Sequence, residues 1–257
     1  MKYIIFDLYG TLMDIHTDEG RDSFWIKLSK KFSKYKEYDP FELKKEYLNL
    51  CKELEKEKEE IEILDVFKIL YPNVDSNLVA ITFRKLSCDY IKPYVGVKRL
   101  LKRLREEGYK IYLLSNAQSS FTKYELNRFN MIPLFDGIFL SSDLGIKKPN
   151  LKYYKALIDK YNIDINEAVM IGNDYNNDIL PAKELGLKTI YLETNQSYFV
   201  STDDKIIDFF YKLVLNRIHE LNWGSFPLFF RKDVITCLRN NFEKYHHCLY
   251  QYFWNFC

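Results

Sequence analysis

A doubly wound parallel α/β sheet carrying an inserted helical domain is the fold class this sequence predicts, on three observations. From residue 93 onward, short apolar runs alternate with amphipathic segments of helical length, as in strands joined by crossover helices. Residues 23–70 are instead dense in Lys and Glu with apolar positions at helical spacing, and no glycine falls between Gly20 and Gly96, which reads as an all-helical insertion. Each predicted sheet strand also runs into a polar cluster. In such sheets the ligand site lies beyond the carboxyl ends of the strands.

Taken in order, residues 2–6 form a β-rich run with no polar break, suited to a central strand covered on both faces, and Asp7 ends it. In the insertion Leu43, Tyr47, Leu50, Leu54, Ile61 and Leu64 mark the buried stripe, while the charge run 52–60 reads as a solvated face. Trp25, Tyr47 and Phe67 share that helical spacing and are expected inside the insertion's own core rather than on a ligand. Residues 97–107 then put Leu100, Leu101 and Leu104 on one helix face, ended by Gly108. Strands follow over 109–114, 137–140, 168–171 and 188–192, with helices over 121–129, 151–161 and 178–185, the last closed by Gly186. The expected division is residues 1–14 and 93–197 for the α/β core, 15–92 for the helical insertion and 198–257 for a C-terminal extension.

Lys and Arg number 38 against 36 Asp and Glu, a net charge of +2, so no global basic field points to nucleic acid or an anionic membrane. No run approaches the ~18 uninterrupted apolar residues of a membrane span, and the apolar start is interrupted by Asp7 before any cleavage-site pattern. Cys51, Cys88, Cys237, Cys248 and Cys257 are odd in number and lack a C-x-x-C pair, which favours reduced thiols in a cytosol. The expected setting is therefore cytoplasmic, without membrane or nucleic-acid partners. The extension is set apart by its fourteen aromatic residues between Phe209 and Phe256; its amphipathic stretches, 205–221 and 233–248, read as helices docked on the body or on a second copy in a homodimer.

The polar clusters carry the chemistry. They are Asp7-Leu8-Tyr9-Gly10-Thr11-Leu12, Ser115-Asn116, Lys147-Lys148-Pro149 and Gly172-Asn173-Asp174-Tyr175-Asn176-Asn177-Asp178. A carboxylate at a strand tip, with Gly10 allowing close backbone approach, can attack in line and form an ester that water later hydrolyses, so Asp7 is the candidate nucleophile. The hydroxyls of Thr11 and Ser115 and the amide of Asn116 can hold the oxygens of a bound anion. Lys148 supplies a cation that offsets charge on nucleophile and substrate. Mg²⁺ prefers carboxylate oxygens, which makes Asp174 and Asp178 the metal-side candidates. Asp178 has a second reading, holding Lys148 or capping its helix.

In this order the four clusters resemble the haloacid dehalogenase-like hydrolase superfamily, in the branch with an α-helical cap inserted after the first strand, over roughly residues 1–195. The resemblance implies catalytic roles for Asp7, Thr11, Ser115 and Lys148, and places Tyr9, Gly10, Asn116 and Tyr154 around substrate. It also implies Mg²⁺, held by Asp7 and the Tyr9 backbone carbonyl with Asp174 and Asp178, or with Asn173 in the other register of the fourth motif. One departure bears on the reaction. Phosphatases of the superfamily carry an acid Asp where this chain has Tyr9, and a phenol with pKa near ~10 is a poor proton donor at neutral pH. The 2-haloacid dehalogenases have Tyr there, and Tyr154 matches another of their positions. Against that, their cap arginine has no counterpart between Arg21 and Arg84, and their fourth motif lacks the acidic residues kept here. Asp14, seven residues past Asp7, has two readings, a source of the missing acid and, preferred, a hinge or cap residue. The expectation is a Mg²⁺-dependent phosphatase of small phosphorylated metabolites, with a metal-independent 2-haloacid dehalogenase and a non-catalytic binding module as alternatives.

Overall fold

The computed structural model describes residues 1–197; the helices expected over 205–221 and 233–248 lie outside the described residues. The chain opens with β1 (Tyr3–Phe6) and β2 (Met13–Thr17), then passes through α1 (Asp22–Phe32), α2 (Pro40–Leu54), α3 (Ile63–Leu70) and α4 (Ser76–Ser87). It returns by β3 (Cys88–Pro93), α5 (Val97–Glu106), β4 (Lys110–Ser115), α6 (Ser119–Arg128), β5 (Gly137–Leu140), α7 (Ser141–Leu144) and α8 (Leu151–Tyr161). The last elements are β6 (Ala168–Gly172), α9 (Leu180–Glu184) and β7 (Lys188–Tyr191).

Five strands form one parallel sheet in the order β5-β4-β1-β6-β7. Side chains alternate across it. Ile4, Phe6, Ile111, Leu113, Val169 and Ile171 pack on one face with Val97 and Leu101 of α5. Ile5, Tyr112, Leu114 and Met170 pack on the other with Tyr153, Tyr154 and Leu157 of α8, the period of two expected of a sheet covered on both sides. Because β1 has β4 on one side and β6 on the other, the connections diverge at its carboxyl end. That divergence opens a crevice, and Asp7 is the residue there.

Helices α1 to α4 share a second core containing Phe24, Trp25, Leu28, Leu43, Tyr47, Phe67 and Phe83. Trp25, Tyr47 and Phe67 are thus packed inside the helical layer. One residue of that core, Phe121, comes from α6 of the α/β layer and stacks on Phe83 at 6.2 Å.

Some expected bounds shift. The helix expected over 178–185 begins earlier, as a wide turn over Tyr175–Ile179 that leads into α9. The cause is Asp174, whose carboxylate accepts the N–H groups of Asn176 and Asn177 and starts the winding there. The sequence reading also lacked the antiparallel ribbon β2–β3, which carries both connections between the helical and α/β layers. Its strands are short, and only the alternation of Met13, Ile15 and Thr17 signals one of them.

Asp14, within that ribbon, is buried and accepts hydrogen bonds from Tyr90 Oη (3.3 Å), Asn195 Nδ2 (3.0 Å) and Gln196 Nε2 (2.8 Å). Burial alone would raise its pKa, but Asn195, Gln196 and nearby Lys92 outweigh it and hold the carboxyl below the usual range. An acid whose native pKa is depressed stabilises the fold above its unfolded pKa, and that contribution is lost as pH falls through the native value. Asp14→Asn is therefore expected to be less stable than the parent near about pH 7, with the gap closing toward about pH 3 in urea titrations. A gap independent of pH would contradict this account.

Candidate active site

The site is built where β1, β4 and β6 end side by side. After β1 the chain turns sharply, the Leu8 carbonyl accepting the N–H groups of Thr11, Leu12 and Met13. Gly10 has φ +83°, and a Cβ there would lie 2.3 Å from Asn173 Nδ2. The turn thus brings the first and fourth motifs into contact only with glycine at that position. At the end of β6, a Cβ on Gly172 would fall 2.2 Å from Asp178 Oδ2, so the place beside that backbone belongs to a carboxylate.

Lys148, from the loop between α7 and α8, is buried among these strand ends. Its Nζ donates to Asp7 Oδ1 at 2.8 Å, Asp178 Oδ1 at 2.6 Å and the Leu114 carbonyl at 2.9 Å, which uses all three ammonium donors. Burial would lower the Lys148 pKa, but the carboxylates of Asp178 and Asp7 prevail and raise it, keeping the ammonium charged. Burial pushes the Asp178 carboxyl up, to about 7, with Lys148 opposing and Asp7 adding to the rise. Asp7 also receives Ser115 Oγ at 3.3 Å on Oδ1 and Thr11 Oγ1 at 3.1 Å on Oδ2. Asp7, Thr11, Ser115 and Lys148 are therefore brought together around one carboxylate.

The remaining candidates divide. The Asn116 amide pairs with the Lys148 backbone in both directions, Nδ2 to its carbonyl at 2.8 Å and Oδ1 from its N–H at 2.7 Å. Tyr154 Oη donates to the Asn177 carbonyl. In the fourth motif, Asn173 Oδ1 lies 3.0 Å from Thr11 Oγ1. Asp174 Oδ2 accepts Asn177 Nδ2 at 2.7 Å while its Oδ1 caps the turn. Asp178 Oδ2 accepts the Asp174 N–H at 2.9 Å. Of the two registers the sequence left open, Asn173 stands beside the Thr11–Asp7 pair, Asp174 caps and Asp178 holds Lys148.

A cavity of about 200 Å³ lies over this cluster, lined by Asp7, Tyr9, Ser115, Asn116, Lys148, Asn173, Asp174, Asn177, Asp178 and Gln196. Thr11, Gly10 and Tyr154 do not line it. Gln196 was not singled out from the sequence, and no local pattern marks it. Three more residues escaped sequence reasoning. The Tyr9 hydroxyl donates to Glu125, Thr122 Oγ1 lies 2.9 Å from that hydroxyl, and Arg84 Nε donates to the other Glu125 oxygen at 2.6 Å. Burial, with the Glu125 charge adding to it, raises the Tyr9 pKa well above an ordinary phenol.

Among the described residues no three carboxylate, imidazole or thiol side chains converge as a metal cage. Mg²⁺ needs none, since one or two carboxylates with waters and substrate oxygens suffice. The cavity wall includes Asp7, Asn173 and Asp174, whose oxygens are hard donors of the kind Mg²⁺ takes.

A doubly wound parallel sheet with an aspartate–lysine pair at its switch point and an inserted helical layer is the architecture of the haloacid dehalogenase-like hydrolases. The sequence profile described as haloacid dehalogenase-like hydrolase matches residues 1–186, and the chain belongs to that family. Among curated proteins it is similar to the glyceraldehyde 3-phosphate phosphatase of Methanocaldococcus jannaschii, 26% identical over 160 residues, 61% of this chain and 68% of that protein. The counterpart from Pyrococcus abyssi is 28% identical over 113 residues, 44% of this chain; this chain spans about half the length of that relative, 48%. The pyrophosphatase PpaX of Halalkalibacterium halodurans is 28% identical over 163 residues, 62% of this chain and 73% of that one. A solved 2-haloacid dehalogenase from Pseudomonas syringae superposes with a TM-score of 0.57 at 19% identity, over 80% of this chain and 92% of that one. A likeness at that level of identity concerns the fold.

Removing Lys148 would leave two carboxylates buried side by side. Lys148→Met is therefore expected to cost about 3 kcal/mol in urea unfolding at neutral pH. The loss should grow toward about pH 9, where Asp178, its pKa raised further without the counter-charge, is forced to ionise, and shrink toward neutral pH as it takes up a proton; an equal loss at both would refute the charge account.

Proposed function

We propose that the chain is a Mg²⁺-dependent phosphatase of small phosphorylated metabolites, acting through a covalent intermediate on Asp7 in the cytosol. The observation that carries this reading is Asp7 itself: a carboxylate at the switch point of the sheet, bonded by Lys148, Ser115 and Thr11, and open to a cavity of about 200 Å³. Its relatives named as glyceraldehyde 3-phosphate phosphatases favour phosphoric monoester hydrolysis.

In the proposed reaction a carboxylate oxygen of Asp7 attacks phosphorus as the ester P–O bond breaks, and the departing alkoxide takes a proton from water. Water then attacks the aspartyl phosphate, releasing phosphate and restoring Asp7. Lys148 stays protonated and orients Asp7. Ser115 and Thr11 fix the carboxylate, and Asn116 fixes the backbone that carries Lys148. Mg²⁺, held by Asp7, the Tyr9 carbonyl and the adjoining Asn173 and Asp174, would supply charge neutralisation on the phosphoryl oxygens. Asp178 secures Lys148.

The dehalogenase reading has one observation in its favour. The residue two places after Asp7 is Tyr9, bonded to Glu125, and departure of a halide needs no proton. A screen of phosphate esters and 2-haloacids with and without EDTA separates the two. Phosphate release that requires Mg²⁺ is the expected outcome; halide release from 2-chloropropionate that survives EDTA would reverse the assignment, and tight binding without turnover would favour a binding module. Asp7→Asn is expected to lower turnover by at least about 10³-fold, and a fully active variant would exclude the covalent route.

A further inference from the structure

Glu125 of α6 has a side chain only 3% exposed, and both its oxygens are engaged by residues from other segments. One accepts the hydroxyl of Tyr9, from the loop that begins with Asp7. The other accepts Arg84 Nε at 2.6 Å, from α4 of the helical layer. The Arg84 side chain is itself only 14% exposed, and its guanidinium lies over the Tyr9 ring at 5.6 Å and over the Phe121 ring at 5.1 Å. The nucleophile loop, the α/β layer and the helical layer thus meet at one buried carboxylate.

The two layers have other ties here. Phe83 stacks on Phe121 at 6.2 Å. Gln118, at the head of α6, donates to the Ile61 carbonyl at 2.8 Å and accepts the Ile63 N–H at 2.8 Å. A buried ion pair adds little net stability over such contacts, because its desolvation offsets its attraction. What it adds is direction. Rings can slide past one another, whereas a carboxylate with a donor on each oxygen fixes where both donors stand, and removing either strands a polar group in apolar surroundings.

The geometry points to a latch: Arg84 and Glu125 couple the seating of the helical layer on the sheet to the position of the Asp7 loop, with the Tyr9 side chain as the connecting rod. Arg84, Glu125 and Tyr9 Oη are then positioning residues for the nucleophile. Displacement of α4 leaves Glu125 without its counter-charge and loosens its hold on Tyr9, two residues from the attacking carboxylate. The kinetic consequence rests on the phosphatase reading above; the mechanical coupling does not.

Hydrogen exchange on the full chain tests it, since the amides of Thr11, Leu12 and Met13 are bonded to the Leu8 carbonyl and report on that loop. Arg84→Met should speed exchange about tenfold over residues 7–13 as well as over 76–87. The double variant Arg84→Met/Glu125→Leu leaves no stranded charge and should regain the parental unfolding midpoint, while residues 7–13 remain fast. Tyr9→Phe keeps the ring beneath Arg84 and should speed residues 7–13 alone. Where phosphatase activity is measured, the double variant should lose about tenfold in kcat with KM held within about twofold. Unchanged exchange at 7–13 in Arg84→Met, or its recovery in the double variant together with stability, would overturn the latch. A parent protein that hydrolyses none of the esters would defeat the phosphatase reading and leave the exchange result to decide the latch by itself.

Discussion

The strand tips are organised around one buried ammonium. A lysine nitrogen taken out of water must find a partner for each proton, and Lys148 finds them on β4 (the Leu114 carbonyl), at the end of β1 (Asp7) and in the loop after β6 (Asp178). These are neighbouring strands only because the sheet runs β4-β1-β6 at its centre. The requirement propagates outward. Asp178 fills the space that a side chain on residue 172 would take, so Gly172 stands there. Asn116 grips the Lys148 backbone on both its polar groups, and Tyr154 supports the carbonyl of Asn177 next to Asp178. Several residues that look in sequence like ligand contacts thus hold the lysine and its carboxylates in place.

The helical layer is fastened by a different logic. At the ribbon, Asp14 gathers Tyr90, Asn195 and Gln196, so the end of the sheet and the connection to the helices share one acceptor. At α4 the fastening is the Arg84–Glu125 pair, almost out of reach of water. Gln196 lines the cavity while bonded to Asp14, and Tyr9 lines it while bonded to Glu125. The cavity wall is therefore continuous with both fastenings.

Sequence carried the parts of this arrangement that are local. An apolar run ending in Asp7, with Gly10 and Thr11 following, is visible because strand and turn lie within a dozen residues, and the same holds for Ser115 after β4. Lys148 was legible through its basic neighbour Lys147 and its place before a helix. The fourth motif was legible in composition and ambiguous in register, since whether Asn173 or Asp174 faces Asp7 depends on how the backbone winds after β6. The Arg84–Glu125–Tyr9 contact had no local signature at all. Arg84 and Glu125 are 41 residues apart, each on a helix otherwise rich in polar residues, and a charge on such a helix reads as solvated until the packing of α4 on α6 is known. The ribbon was lost for a similar reason, its two strands being separated by the whole helical insertion.

Charge balance ties the pocket to the reaction proposed for it. Among the described residues that line the cavity, Asp7, Asp174 and Asp178 are acidic and Lys148 is the single cation. That cation is already committed to Asp7 and Asp178. A phosphate monoester brings further negative charge, and in a partly enclosed site the repulsion between like charges a few ångströms apart is several times its value in water. Neutral donors such as Asn116, Asn177 and Gln196 can orient a phosphate but cannot offset that charge. A divalent cation held by residues such as Asp7, Asn173 and Asp174 would supply the charge that offsets it. The excess of carboxylates over ammonium is what a site would need if it is completed by a metal ion and a phosphate together. A 2-haloacid, with one carboxylate and a neutral carbon to be attacked, brings less negative charge to the acidic side of this cavity and asks for no such cation.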